Sequence, residues 1–468
     1  RLLNMQNTTE IKKVTSIYDS LMDSVPDYSR FFTVDELINH SYNFALNHPS
    51  LVQYRNIGHS QNGEAIPMLT LGNGTKSLLL YACPHPNEPI GTLLIHFLLN
   101  ALLDHPELLV KYTWHLIPCV DPDGTRLNEG WFSGPFTIRN YARHFYRPRI
   151  EEQVEWTFPI IYKNYSWITP SNETQALMYA IRLIQPDFVY GLHNSGFGGM
   201  YYYINQPLVD IFPELERLPS SLGLFLAKGE PEAPWVIQYA PAIYSIWGLT
   251  DAYDYYEKYT HTDPVTMVRG GSSSCDYLKE NGLKKTIFLV TEVPYFQSPV
   301  VTNDTIIPNV TRRDVLLQGF DKNDKSNAIL MNLLEQIKST MTLDSSFYRA
   351  SRTSLELDNT TAANCRQAIL NDDSTLAPAT VASQADALYM PVFSKILISS
   401  MLNRAITLQI QQSSNIKLLE NAQRELENHL DYWINDIEQN ISYTPIRIRT
   451  LVQAQLGAML IVLLNVRD

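Results

Sequence analysis

The sequence predicts an α/β protein: a central mixed, largely parallel twisted sheet flanked by helices, followed by an all-helical C-terminal region. Three observations predict it. The runs "SLLLYAC", "DFVYGLH" and "KTIFLVTEV" are almost continuously apolar, as in strands buried on both faces. Helical patterns alternate with these runs, which is the signature of a parallel sheet. Beyond about Asn323 strand-like runs cease and helical runs follow one another.

Residues 1–27 are polar and unpatterned, a lead-in arm or short helix. "TVDELINHSYNFALNHP" carries a Thr N-cap, acidic residues in its first turn and helical apolar spacing, and stops at a proline. "LVQYRNIG" and "AIPMLTLG" alternate in the strand manner around "HSQNG" and read as a hairpin. The strand "SLLLYAC" leads into the helix "PIGTLLIHFLLNALLDHP", with Pro89 in the first turn, where its missing N–H costs nothing. The strand "YTWHLIPCV" follows, then the turn "DPDG" and an irregular stretch to about Tyr165. Helix "ETQALMYAIRLI" feeds strand "DFVYGLH", and helix "SCDYLKENG" feeds strand "KTIFLVTEV". These elements suggest a first domain over 28–322 and a helical region over 323–468. A link rich in Asn, Asp, Thr and Pro joins them at roughly 297–323.

Composition bounds the function. The chain is 45% hydrophobic and 18% charged, with 36 Lys and Arg against 48 Asp and Glu, a net charge of −12. General nucleic-acid binding, which needs a basic face, is not expected. Cys83, Cys119, Cys275 and Cys365 are scattered, without metal-site spacing or a disulfide framework. Few cysteines and no visible signal peptide favour the cytoplasm. Secretion stays open, because several Asn-X-Ser/Thr sequons are present and a leader could have been trimmed before Arg1. The longest apolar run, "AMLIVLL", is too short to span a bilayer, so no membrane partner is expected.

Three buried-type strands end in residues that bind metals or move protons. "LLLYACPH" ends at His85 with Glu88 close behind, "DFVYGLH" at His193 and "TIFLVTE" at Glu292. Ligands of open α/β sheets sit at the C-terminal ends of strands, so these residues should gather along one edge. Two histidines and a carboxylate leave the fourth position of a tetrahedral zinc open for water, the arrangement of a catalytic site. Glu292 would suit the general base for that water.

Six segments in order over residues 28–296 resemble the zinc metallocarboxypeptidase family. They are "SLVQYRNIGHSQNGEAIPMLTLG", "HPNE", "VDPDGTRLN", "LHNSG", "GGSSSCDYLKENG" and "FLVTEV". The resemblance implies a carboxypeptidase-like fold and a single zinc ion held by His85, Glu88 and His193. It further implies Glu292 as base and acid, and Arg126 polarising the scissile carbonyl. The implied reaction removes a C-terminal residue from a peptide or peptide-like metabolite through zinc-bound water activated by Glu292. The helical last third lies outside the resemblance.

Two departures qualify the substrate. The family's carboxylate clamp aligns best with "TIRNY", giving Arg139 and Asn140 but Ile138 in place of the first asparagine. Arg147 follows as the next choice, with Arg143 and Arg149 as competitors. The family's pocket tyrosine has no counterpart before "GGSS" and is either absent or supplied by another segment, such as "DAYDYYEKY". Cys275, where the family tunes side-chain preference, is small and uncharged, which argues against a strict preference for basic side chains; a buried helical thiol is the equal alternative. The altered clamp leaves room for a zinc amidohydrolase or deacylase, or for a hydrolase of D-amino-acid cell-wall peptides. A non-catalytic binding module is a further alternative. The helical region could roof the site or join two copies of the chain into a homo-oligomer.

Overall fold

The structure, a computed structural model, describes residues 16–414 and 416–465. Helices of eleven or more residues and the strands of the main sheet are labelled in chain order. Helix α1 (Val34–Asn47) starts at Thr33, whose side chain and Glu36 form a reciprocal capping box. Strands β1 (Val52–His59) and β2 (Ala65–Leu71) make the expected antiparallel hairpin. Then come β3 (Lys76–Ala82), α2 (Ile90–Asp104), β4 (Tyr112–Ile117), α3 (Asn172–Ile184), β5 (Phe188–Leu192), β6 (Asn194–Gly198) and β7 (Tyr201–Ile204). The sheet closes with β8 (Gln238–Ala240), β9 (Ile243–Ser245), α4 (Leu249–Tyr259) and β10 (Ile287–Gln297).

The strand order is β1-β2-β4-β3-β5-β10-β7-β9-β8, with β6 pairing further along β10. The four central strands, β4, β3, β5 and β10, are mutually parallel, and the flanking pairs are antiparallel apart from β7 with β9. The continuous apolar runs are explained by burial on both faces. Leu78, Leu80 and Ala82 of β3 join the core under α2, whereas Leu79 and Tyr81 join the opposite core under α3. Gly91 lets α2 sit directly on β5, since a Cβ there would come within 2.4 Å of the Leu192 Cβ. Pro89 stands at the N-cap of α2, one position earlier than expected. "DPDG" is a short helix, Pro122–Arg126, capped by the Asp121 side chain, and not merely a turn.

The rest of the chain is helical: α5 (Arg312–Ile337), α6 (Ser346–Asn371), α7 (Val381–Gln411), α8 (Lys417–Asn440) and α9 (Ile448–Asn465). One expectation needs correction. α5 begins at Arg312, inside the predicted link, and runs through the boundary placed after residue 322, because Thr311 and Asp314 form a capping box there. The region packs on the sheet domain. α9 packs on α2 and β10 of the sheet, while α5, α6, α7 and α8 pack on one another, and α6 also reaches α4. Helices α7 and α9 are long and apolar enough to cross a membrane, contrary to the length argument from "AMLIVLL", but most of each is buried within the protein. Of the N-terminal arm, residues 16–24 form a helix and residues 1–15 lie outside the described residues.

Candidate active site

β3 delivers the first half of the site. After Ala82 the chain turns through Cys83, whose φ of 52° bends it sharply, and residues 83–89 run buried into α2. This turn presents His85 and Glu88, 5% and 2% exposed. β5 ends one residue before His193, and Glu292 lies on β10 at the same level, since Val293 pairs with Asn194. Tyr295 ties the pieces together by donating to the Asn87 carbonyl at 2.9 Å and to Asn194 Oδ1 at 3.2 Å.

Residues some hundred positions apart thus converge. His193 Nδ1 lies 2.9 Å from Glu88 Oε2 and 3.2 Å from His85 Nδ1, and His85 Nδ1 lies 3.1 Å from Glu88 Oε1. One ligand atom from each of the three falls within a 4.8 Å span. Two imidazole nitrogens and a carboxylate are the donor set of a catalytic zinc site, and their spacing fits one ion. The charges fit as well. Burial pushes the His85 imidazole down to about 4, which keeps it neutral and able to ligate. Burial opposes charge on His193 too, but Glu155 and Glu88 outweigh it and push that imidazole up to about 10. The carboxylates there call for a cation.

Glu155, which sequence patterning did not single out, stands behind the third ligand, with Oε1 3.9 Å from His193 Nε2. Tyr81 donates to it, and Ser274 adds its backbone N–H at 2.9 Å and its hydroxyl at 3.0 Å. A carboxylate behind a ligating histidine fixes the ring and raises its basicity. Glu155 lies in an irregular stretch, where periodicity gives no signal. On the main-chain side, Gln455 of α9 donates to the His193 carbonyl at 2.9 Å.

These groups open into a cavity of about 920 Å³. Glu292 lines it, 8% exposed. Burial, and then the carboxylates of Glu232 and Glu88, push the Glu292 carboxyl well above the usual range. Helices α5, α6 and α7 supply the roof, with Phe320, Ser354, Met390 and Phe393 among its surface. The helical region therefore supplies part of the cavity wall. Cys275 lines the cavity as a buried thiol, and burial pushes it up to about 12.

The arginines require correction. Arg126 does not line the cavity: its guanidinium donates to Glu64 and Asp35, pinning α1 to the turn between β1 and β2. Arg139 and Asn140 are also elsewhere. The Arg139 guanidinium pairs with Asp431 of α8, and the Asn140 amide donates to the Pro135 carbonyl at 3.1 Å. In each case a local acidic or carbonyl partner outcompetes the site. Arg143 and Arg149 are held by Glu427 and Glu152. Arg147 alone among the arginines lines the cavity, with Nη2 3.0 Å from His85 Nε2 and Nη1 3.3 Å from Glu88 Oε1. The tyrosines of the cavity, Tyr141, Tyr201, Tyr203 and Tyr244, come from outside the "DAYDYYEKY" run.

Asp121, the cap beside this site, is buried, and burial together with Glu173 pushes its carboxyl up to about 8 from 3.8. Between those values the unfolded residue ionises while the folded one keeps its proton, so stability falls as pH rises across that window. Asp121→Asn keeps the acceptor for the Gly124 N–H at 2.8 Å without the charge. Thermal unfolding should show a gain over wild type of about 4 °C near pH 8 and almost none near pH 4. A gain that does not grow with pH would contradict this account.

An α/β sheet that gathers two histidines and a glutamate before an unpaired buried carboxylate offers the donor set of a metal site. Residues 38–157 match the family model described as zinc carboxypeptidase. That match contains His85 and Glu88 and ends before His193 and Glu292. No curated protein matches the sequence. Solved structures that resemble the fold include carboxypeptidase A from Helicoverpa armigera, at 12% identity and a TM-score of 0.37, covering 61% of this chain and 72% of that one. Bovine thrombin-activatable fibrinolysis inhibitor, in complex with tick carboxypeptidase inhibitor, resembles it at 11% identity and a TM-score of 0.33, covering 56% and 86%.

Proposed function

We propose that this protein is a zinc-dependent metallocarboxypeptidase that removes one C-terminal residue from a short peptide or peptide-like metabolite. The observation that carries the reading is Arg147. Among the described residues it is the one arginine or lysine that lines the cavity, and it stands directly against the metal-ligating pair. A guanidinium so placed suits the terminal carboxylate of a substrate, which it can hold with two parallel hydrogen bonds.

His85, Glu88 and His193 would hold one zinc ion, which supplies Lewis acidity toward a water and a carbonyl. Glu155 and the Gln455 amide keep His193 in place. Glu292 takes a proton from the attacking water and returns it to the departing amine. Its burial beside Glu232 and Glu88 raises its proton affinity, which suits a group that must both accept and give a proton. The walls from α5, α6 and α7 limit the substrate to what a cavity of about 920 Å³ admits.

The test is a matched pair of peptides, one with a free C-terminal acid and one amidated. The free acid should be cleaved at least about 100-fold faster, because only it gives Arg147 a carboxylate to bind. Equal rates would remove the exopeptidase reading, and activity that survives a strong chelator would remove the zinc site.

A further inference from the structure

We propose that the cavity selects substrates with a positively charged side chain on the residue to be released, and that Glu232 is the residue that reads this charge. The inference rests on the carboxypeptidase reading above. Most acidic groups of the cavity wall are already satisfied. Glu155 is taken up by Tyr81 and Ser274, Glu230 by Arg312 at 2.6 Å, and Asp358 by Lys395.

Glu232 differs. It sits on the segment between β7 and β8, lines the cavity and is solvent-exposed. Its Oε2 accepts the Tyr203 hydroxyl at 2.7 Å, and among the described residues it has no ion-pair partner. It lies near enough to Glu292 to be the largest influence on that carboxyl after burial. Glu292 is itself 8% exposed and has neither a hydrogen bond nor an ion pair among the described residues. A carboxylate that faces the cavity without an ion-pair partner among the described residues is available to a cationic side chain of the substrate.

The wall around Glu232 suits such a cation. The Tyr201 and Tyr203 rings stand edge to face with centroids 5.8 Å apart, and Tyr244 packs 6.0 Å from Tyr203. Aromatic faces attract ammonium and guanidinium groups and shield them from water. Cys275 supplies no charge, so its segment alone suggests no basic preference. The charge comes instead from the loop between β7 and β8, which the linear motif does not contain.

The experiment compares kcat/KM of the zinc-loaded full chain on two N-blocked dipeptides, one ending in arginine and one in leucine. The wild-type arginine-to-leucine ratio should exceed one, and Glu232→Gln should lower it about tenfold or more. A wild-type ratio at or below one, or a ratio that falls less than about twofold in Glu232→Gln, overturns the proposal. A second readout needs no turnover: free L-arginine should raise the Tm more than L-leucine does, and Glu232→Gln should abolish that difference. If neither peptide is cleaved but the arginine-specific stabilisation is present, the carboxypeptidase reading fails and the cation pocket stands. If both peptides are cleaved without arginine preference, the cation pocket alone fails.

Discussion

Glu292→Gln is expected to lower kcat by about 10³-fold while leaving the bound zinc unchanged, because the substitution removes a proton acceptor and almost nothing else. Glutamine has the size and shape of glutamate, and Glu292 makes no hydrogen bond or ion pair among the described residues for the change to break. Its neighbours make the loss readable in a second way. Burial and then Glu232 push the carboxyl well above the usual range, so the active carboxylate form grows as pH rises toward that raised value. Wild-type kcat/KM should therefore climb on the acid side of its pH profile, and the glutamine variant should lose that limb. A variant that keeps more than about a tenth of the wild-type rate would exclude Glu292 as the base.

The second large effect separates two arginines. Arg147→Ala should cost about 10³-fold in kcat/KM, because it removes the one guanidinium that lines the cavity among the described residues. Arg147→Lys should recover little, since a point charge cannot reproduce a planar fork. Arg126→Ala should leave kcat/KM within about threefold and lower stability by about 1 kcal/mol or less. It breaks a partly exposed ion pair with Glu64 and Asp35 and touches nothing in the cavity. If the two variants exchanged behaviours, Arg126 would regain the catalytic place that the motif "VDPDGTRLN" suggests.

Much of the site was legible because its residues end strands. The runs before His85, His193 and Glu292 are apolar on both faces, and a parallel sheet brings such ends to one edge whatever their distance in sequence. Arg126 was misplaced because a motif fixes neighbours along the chain and not the direction of a long side chain. Asp35 and Glu64, distant in sequence, decide that direction. Glu155 and Glu232 sit on irregular segments with no period to read. Helix α6 was missed because Ser, Thr and Asn crowd "SFYRASRTSLELDNTTAANCRQAILN", and these residues compete with helical hydrogen bonds. Its packing against α5 and α7 overrides that weak propensity. The roof was beyond reach for a related reason. Helical periodicity shows which face is apolar, but not what covers it.

Gln455 of α9 carries a consequence for biosynthesis. Its amide holds the carbonyl of His193, and its own carbonyl accepts the hydroxyl of Tyr190 on the strand that delivers this ligand at 2.8 Å. The chain emerges from the ribosome N-terminus first, so His85, Glu88, His193 and Glu292 are all made long before the helix that steadies them. A nascent chain stopped anywhere short of α9 carries every ligand and the base, yet leaves the core between β10, α2 and this helix uncovered. The ligands are therefore steadied from the main-chain side only once α9 has been made and has docked on α2 and β10.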